Sequence, residues 1–114
     1  MIQKIVINTC FGSFSLSTQA ILRYGELANI KFVTEVSHGL SHYYKNSIAN
    51  ENYWSDRDID RDDPLLIQII EELGEAANGF FAELKIVEIP AGVLWDIEEY
   101  DGVEHIAEQH RTWS

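Results

Sequence analysis

One cysteine, two prolines and only eight lysines and arginines occur in this 114-residue chain. Each scarcity excludes something. A lone Cys10 forms no internal disulfide, so an oxidising compartment offers the fold no covalent staple, and a cytoplasmic home is the expectation. No apolar run approaches the roughly 20 residues that a membrane helix needs. The opening MIQKIVINTC has neither the apolar stretch nor the small-residue cleavage site of a secretory signal. Against the few basic side chains stand 19 acidic ones, a formal net charge of −11. That field repels anionic membranes and nucleic-acid polymers at long range, which excludes a general binder of either. Small anions stay open, because a few arginines and oriented amides make a locally positive pocket even on an acidic protein. Acidity also suits plain solubility, or mimicry of a nucleic acid by an inhibitor.

What is present suffices for one hydrophobic core: 46% of the residues are hydrophobic, and at this length residues 1–114 read as a single domain. Ile2 to Ile7 reads as a strand, and the β-branched run Ile5, Val6 and Ile7 suits one buried on both faces, at the centre of a sheet. Ser17 is an N-cap for a helix over roughly residues 18–28, in which Ala20, Ile21, Tyr24, Leu27 and Ala28 keep helical spacing. IKFVTEV, residues 30–36, is a candidate short strand. From Ser37 to Asp62 no period survives, and the stretch reads as one long loop. Asp63 then caps a second helix with Pro64 at its first position and Leu65, Leu66, Ile69, Ile70 and Leu73 as its buried stripe, ended by Gly79. Three strand-like runs follow, 81–90, 93–100 and VEHIAEQH, joined by a Pro90-Ala91-Gly92 turn and an Asp101-Gly102 turn, as in an antiparallel meander. The expected class is α+β, a mainly antiparallel sheet with two helices on one face.

NTCFGSFSLS, residues 8–17, is a strand end, a glycine- and serine-rich loop and a helix start, the arrangement by which backbone N–H groups hold an anion. Asn8, Cys10, Phe11 and Gly12 are the candidate wall of such a cradle. The stretch lacks the spacing of a P-loop and of a dinucleotide-binding glycine motif, and a structural turn is the commoner role of so short a segment. Cys10 would act as a nucleophile only beside a histidine, from His38, His42, His105 or His110. His38 and His42 would share a zinc-binding face on a helix, but Ser37 and Gly39 oppose a helix there, so neither a metal nor a cofactor is expected. In YWSDRDIDRDDP, Trp54 can stack on a ring while Arg57 or Arg61 grips a phosphate; the plainer reading is a solvated loop with local ion pairs. At the C-terminus His110, Arg111 and Trp113 again set a cation beside an aromatic, which suits a nucleotide as well as a docked tail.

Together, KIVINTCFGSFSLS, RDDPLLIQIIEELGEAANG and LKIVEIPAGVLWDIEEYDGVEHIAEQHRTW resemble a widespread family of small phage and prophage proteins, leaving residues 29–55 uncovered. In that family the first block usually carries two glycines where this chain has Gly12 and Ser13; a positive φ at position 13 would strain the serine. The group resembles the phage anti-Thoeris sponge proteins. That resemblance implies a homo-oligomer that sequesters a cyclic nucleotide signal, a cyclic ADP-ribose isomer, without cleaving it. A ligand with two phosphates and an adenine calls for arginines and aromatic platforms, and Arg23, in the helix after the glycine loop, joins the candidates. Two other readings compete: an acidic inhibitor of a host protein acting through Glu71, Glu72 and Glu75, and a small nucleotide-degrading enzyme built on Cys10 and the histidines.

Overall fold

The computed structural model describes residues 1–108. The class is α+β: two α-helices and seven antiparallel strands in three small sheets. Strand β1 (Ile2–Asn8) pairs with β5 (Leu84–Pro90), with Ile5 opposite Val87 and Val6 opposite Ile86. Its two faces serve different layers. Val6, with Leu84 and Ile86, packs into the main hydrophobic cluster under helices α1 (Thr18–Ala28) and α2 (Pro64–Leu73). Ile7, with Val87 and Ile89, faces Trp95 and Ile106 of a separate hairpin, β6 (Trp95–Tyr100) and β7 (Val103–Glu108). The expected burial on both faces is therefore present, with Ile5, Val6 and Ile7 at 0%, 0% and 6% exposure.

The expected central position is not. β1 has one strand neighbour, and the three C-terminal runs do not form a continuous meander: β5 pairs with β1, whereas β6 pairs only with β7. Met1 explains part of the break. Its carbonyl accepts the N–H of Ala91, so the chain leaves β5 tied to β1 rather than turning back along it.

Local signals place both helices. Ser17 Oγ accepts the N–H of Ala20, and Asp63 Oδ1 accepts the N–H of Leu65 ahead of Pro64, so each first turn has a donor satisfied by its cap. Helix α2 ends earlier than Gly79. Gly74 takes φ 56° and ψ −129°, a conformation closed to side chains with a Cβ, and residues 74–77 continue as a tight 3₁₀ turn that buries Ala77. No helix of the described residues is long and apolar enough to cross a membrane.

The short strand expected over 30–36 is present, and the stretch read as one long loop after it holds the other half of a hairpin. Strands β2 (Phe32–Ser37) and β3 (Leu40–Lys45) meet at His38-Gly39, both with positive φ as a two-residue hairpin turn demands, and β4 (Tyr53–Trp54) adds to β3. This small sheet is fastened to the helices by rings. Trp54 lies 4.6 Å from Phe32 and 5.9 Å from Tyr24, centroid to centroid.

Tyr24 also donates its hydroxyl hydrogen to Asp63, the cap of α2, at 2.9 Å. Burial, and then that carboxylate, push the phenol from an ordinary 10 up to about 12. The raised value means that folding favours the neutral phenol, so its stabilisation is complete below pH 10 and is lost as pH rises towards about 12. Thermal melts of Tyr24→Phe against the parent above pH 10 should show a shallower alkaline loss in the variant; parallel curves would contradict the assignment.

Candidate functional site

Antiparallel pairing leaves alternate residues of an edge strand with N–H and C=O pointing away from the partner. On β1 these are Lys4, Val6 and Asn8, since Thr9 N–H donates to Glu83 and fixes the phase. Among the described residues no strand pairs with them in a ladder. Instead the carbonyl of Arg61 accepts the Val6 N–H at 2.8 Å, the Arg61 guanidinium donates to the Val6 carbonyl at 3.3 Å, and Glu104 Oε1 accepts the Asn8 N–H at 2.7 Å. Arg61 and Glu104 are joined to each other through two parallel bonds, 2.6 and 2.9 Å. The guanidinium carbon also sits 3.7 Å from the centroid of Phe14.

The pair is largely sheltered, with side-chain exposures of 21% and 8%. Its origin lies in the β6–β7 register. Glu99 stands opposite Glu104 on the face that also carries Trp95, Ile97 and Ile106, and two carboxylates so placed repel unless a cation separates their interests. Arg61 supplies the cation to Glu104, while Glu99 accepts the Gly102 N–H at 3.0 Å.

Above this pair opens a cleft of about 340 Å³ lined by Ser13, Phe14, Arg57, Arg61, Glu99 and Gly102. Two close backbone approaches shape its mouth. A Cβ on Gly102 would lie 1.6 Å from the Gly12 carbonyl oxygen, and one on Gly12 would lie 2.0 Å from that of Phe81, so only glycine fits at either crossing. Gly12 thus serves close approach, not an unusual φ. Ser13 has no positive φ either, and the serine there carries no backbone strain. Phe81 does, at φ 62°, a rare conformation for a bulky residue.

The candidates named from sequence scatter. Arg57 and Arg61 line the cleft, and Gly12 borders it. Asn8 is wholly buried beneath the loop; its amide donates to the carbonyls of Cys10 and Gly102 and its oxygen accepts from Cys10 and Glu83, so it builds the turn and has nothing left for a ligand. Cys10 is half-buried, and among the described residues no histidine hydrogen-bonds its thiol. Phe11 is exposed at 76% beside the mouth. Arg23 is committed elsewhere, to Glu72 and Glu26 on the outer helix surface, which raises its pKa and lowers that of Glu72. Trp54 is a core residue at 6% exposure, closed in by Phe32 and Tyr24 and unable to stack on a ligand. His110, Arg111 and Trp113 lie outside the described residues. No group of described histidine, cysteine and acidic side chains has the arrangement of a metal site.

Sequence reasoning missed Phe14, Glu99 and Glu104. The alternation of Trp95, Ile97 and Ile106 about the Asp101-Gly102 turn was a signal that both glutamates share the apolar face of the hairpin, where Glu104 is buried and Glu99 stays exposed. No protein-family model, curated protein or solved structure matches the chain.

What the cleft offers chemically is uneven. Arg61 is neutralised by Glu104. Arg57, in contrast, is exposed and forms no ion pair with a described residue. The N–H groups of Phe11, Gly12, Ser13, Phe14 and Ser15 donate to no described acceptor. Removing Arg61 alone would strand a buried carboxylate: Arg61→Met should cost about 3–5 kcal/mol in urea unfolding. Adding Glu104→Gln, which keeps an oxygen for the Asn8 N–H, should recover about 1 kcal/mol or more. A double variant no more stable than Arg61→Met would show that the pair's charge does not matter.

Proposed function

We propose that the chain is a phage-encoded anti-defence protein of the host cytoplasm that captures a small anionic nucleotide signal without cleaving it, the signal being a cyclic ADP-ribose isomer. One observation carries the capture: the Arg57 guanidinium, in no ion pair with a described residue, and the Ser13 and Phe14 N–H groups, which donate to no described acceptor, border the same cleft. Guanidinium and amide donors are what a phosphate needs, and here they need not first break an internal bond. The class of signal rests on the resemblance of the three sequence blocks to the phage family. Exposed Phe11 and Phe81 at the Gly12 crossing support a homo-oligomer, since such apolar surface is normally covered by another subunit.

The acidic-inhibitor reading loses two of its three carboxylates. Glu71 is bonded to Lys4 and Glu72 to Arg23, so that surface is internally compensated.

The test is capture and release: protein is mixed with the cyclic ADP-ribose isomer, freed of unbound ligand, heated, and the supernatant assayed for intact signal. Arg57→Ala should weaken capture about tenfold or more, the loss of one charge-assisted hydrogen bond or pair, with an unchanged melting temperature. Arg23→Ala should leave capture as it was. Equal affinity of Arg57→Ala and the parent, or a chemically altered product, would sink the reading.

A further inference from the structure

A second cleft, of about 430 Å³, lies on the other side of the Ser13–Ser17 loop. Its walls are Ser15 to Thr18, the end of the β2–β3 hairpin at Ser41 and Tyr43, and the Asn78-Gly79-Phe80 corner. Asp56 closes it, and the next residue, Arg57, lines the first cleft. The chemistry of the two differs. Asp56 is the sole charged residue among the described residues that line the second cleft, and no basic side chain does, so a phosphate is unwelcome there.

Ser17 Oγ is fully engaged, donating to Ala76 and accepting from Ala20, but three other polar groups of this cleft are half used. Asp56 Oδ2 accepts the Leu16 N–H at 2.9 Å, and the other oxygen accepts from no described donor. Asn78 Oδ1 accepts the Leu84 N–H, and its amide nitrogen donates to no described residue. Thr18 and Tyr43 share one hydrogen bond of 3.0 Å between two hydroxyls, which leaves one hydroxyl hydrogen over. At the rim Phe80 is 83% exposed.

An open acceptor, two open donors and an apolar face, without a cation, match a ring bearing neighbouring hydroxyls, each of which both donates and accepts. We propose that this cleft is a furanose subsite. Asp56 accepts from the vicinal diol, Asn78 and the Thr18–Tyr43 pair donate to it, and Phe80 covers the carbon face of the ring. Naming the ring a ribose rests on the reading of the protein as a nucleotide binder.

Amide chemical shifts of the full chain test this with probes that carry no phosphate: methyl β-D-ribofuranoside, adenosine and 2′,3′-dideoxyadenosine. Adenosine should shift Ser17, Ser41 and Gly79, and removal of the diol should weaken the response about tenfold or more. Asp56→Asn, which keeps an oxygen for Leu16 but turns the open acceptor into a donor, should abolish the preference for the diol. Shifts with the riboside alone, sensitive to Asp56→Asn, would also support the subsite and assign it to the free sugar. Equal binding of adenosine and its dideoxy analogue, or no shift in this cleft at millimolar probe, would overturn it. Inorganic pyrophosphate on the same sample reports on Ser13 and Phe14 at the Arg57 cleft. Silence there with a diol-dependent adenosine response would count against the phosphate reading only.

Discussion

The Arg61–Glu104 ion pair takes the place of a strand. β1 is the most deeply buried strand of the molecule, yet hydrogen-bonded strand pairing reaches only one of its edges. The opposite edge would leave buried backbone groups orphaned, each costing on the order of 1–3 kcal/mol. A turn ahead of α2 and a glutamate from β7 fill the gap instead: one carbonyl, one guanidinium and one carboxylate satisfy Val6 and Asn8. Burying those charges is tolerable because each is paired bidentately and hydrogen-bonded beyond the pair, with Phe14 against the guanidinium.

That substitution decides where the cleft opens. A side chain is shorter on one side than a strand's sheet of neighbours, so space remains above the pair, and the glycine loop folds across it. The loop stays there because Gly12 lies between the Phe81 carbonyl and the Asp101-Gly102 turn, with Asn8 stitching it from beneath. Spending Arg61 on the fold leaves Arg57 as the cleft-lining cation without an ion pair to a described residue, with the Glu99 carboxylate on the same wall. Fold and cleft thus draw on the same short segment, residues 56–61, in which Asp56 holds Leu16, Arg57 lines the cleft and Arg61 closes β1.

Those features set by neighbours in sequence were legible in it. Ser17 and Asp63-Pro64 start helices whatever else the chain does, and Asp101-Gly102, with φ of 52° and 86°, makes its hairpin locally. Features set by distant partners were not. β2 was legible, but β3 hid because LSHYYK puts Tyr43 and Tyr44 side by side among half-exposed neighbours, leaving no clean period. Trp54 reads equally well as a platform or as core until Phe32 and Tyr24 are seen to close over it. Arg23 and Arg61 look alike in sequence; one meets glutamates on an exposed helix surface, the other a sheltered glutamate 43 residues away. Gly12 stood out in sequence as part of a glycine- and serine-rich loop, but the Phe81 carbonyl that demands a glycine there lies far along the chain and left no local sign.

The most direct test of this account is amide hydrogen exchange at β1. If Arg61 and Glu104 serve as a strand, the Val6 and Asn8 amides exchange only with global unfolding, as slowly as the ladder-bonded amides of Ile5 and Ile7. Exchange of Val6 and Asn8 orders of magnitude faster than Ile5 and Ile7 would show an open edge, and the central claim would fall.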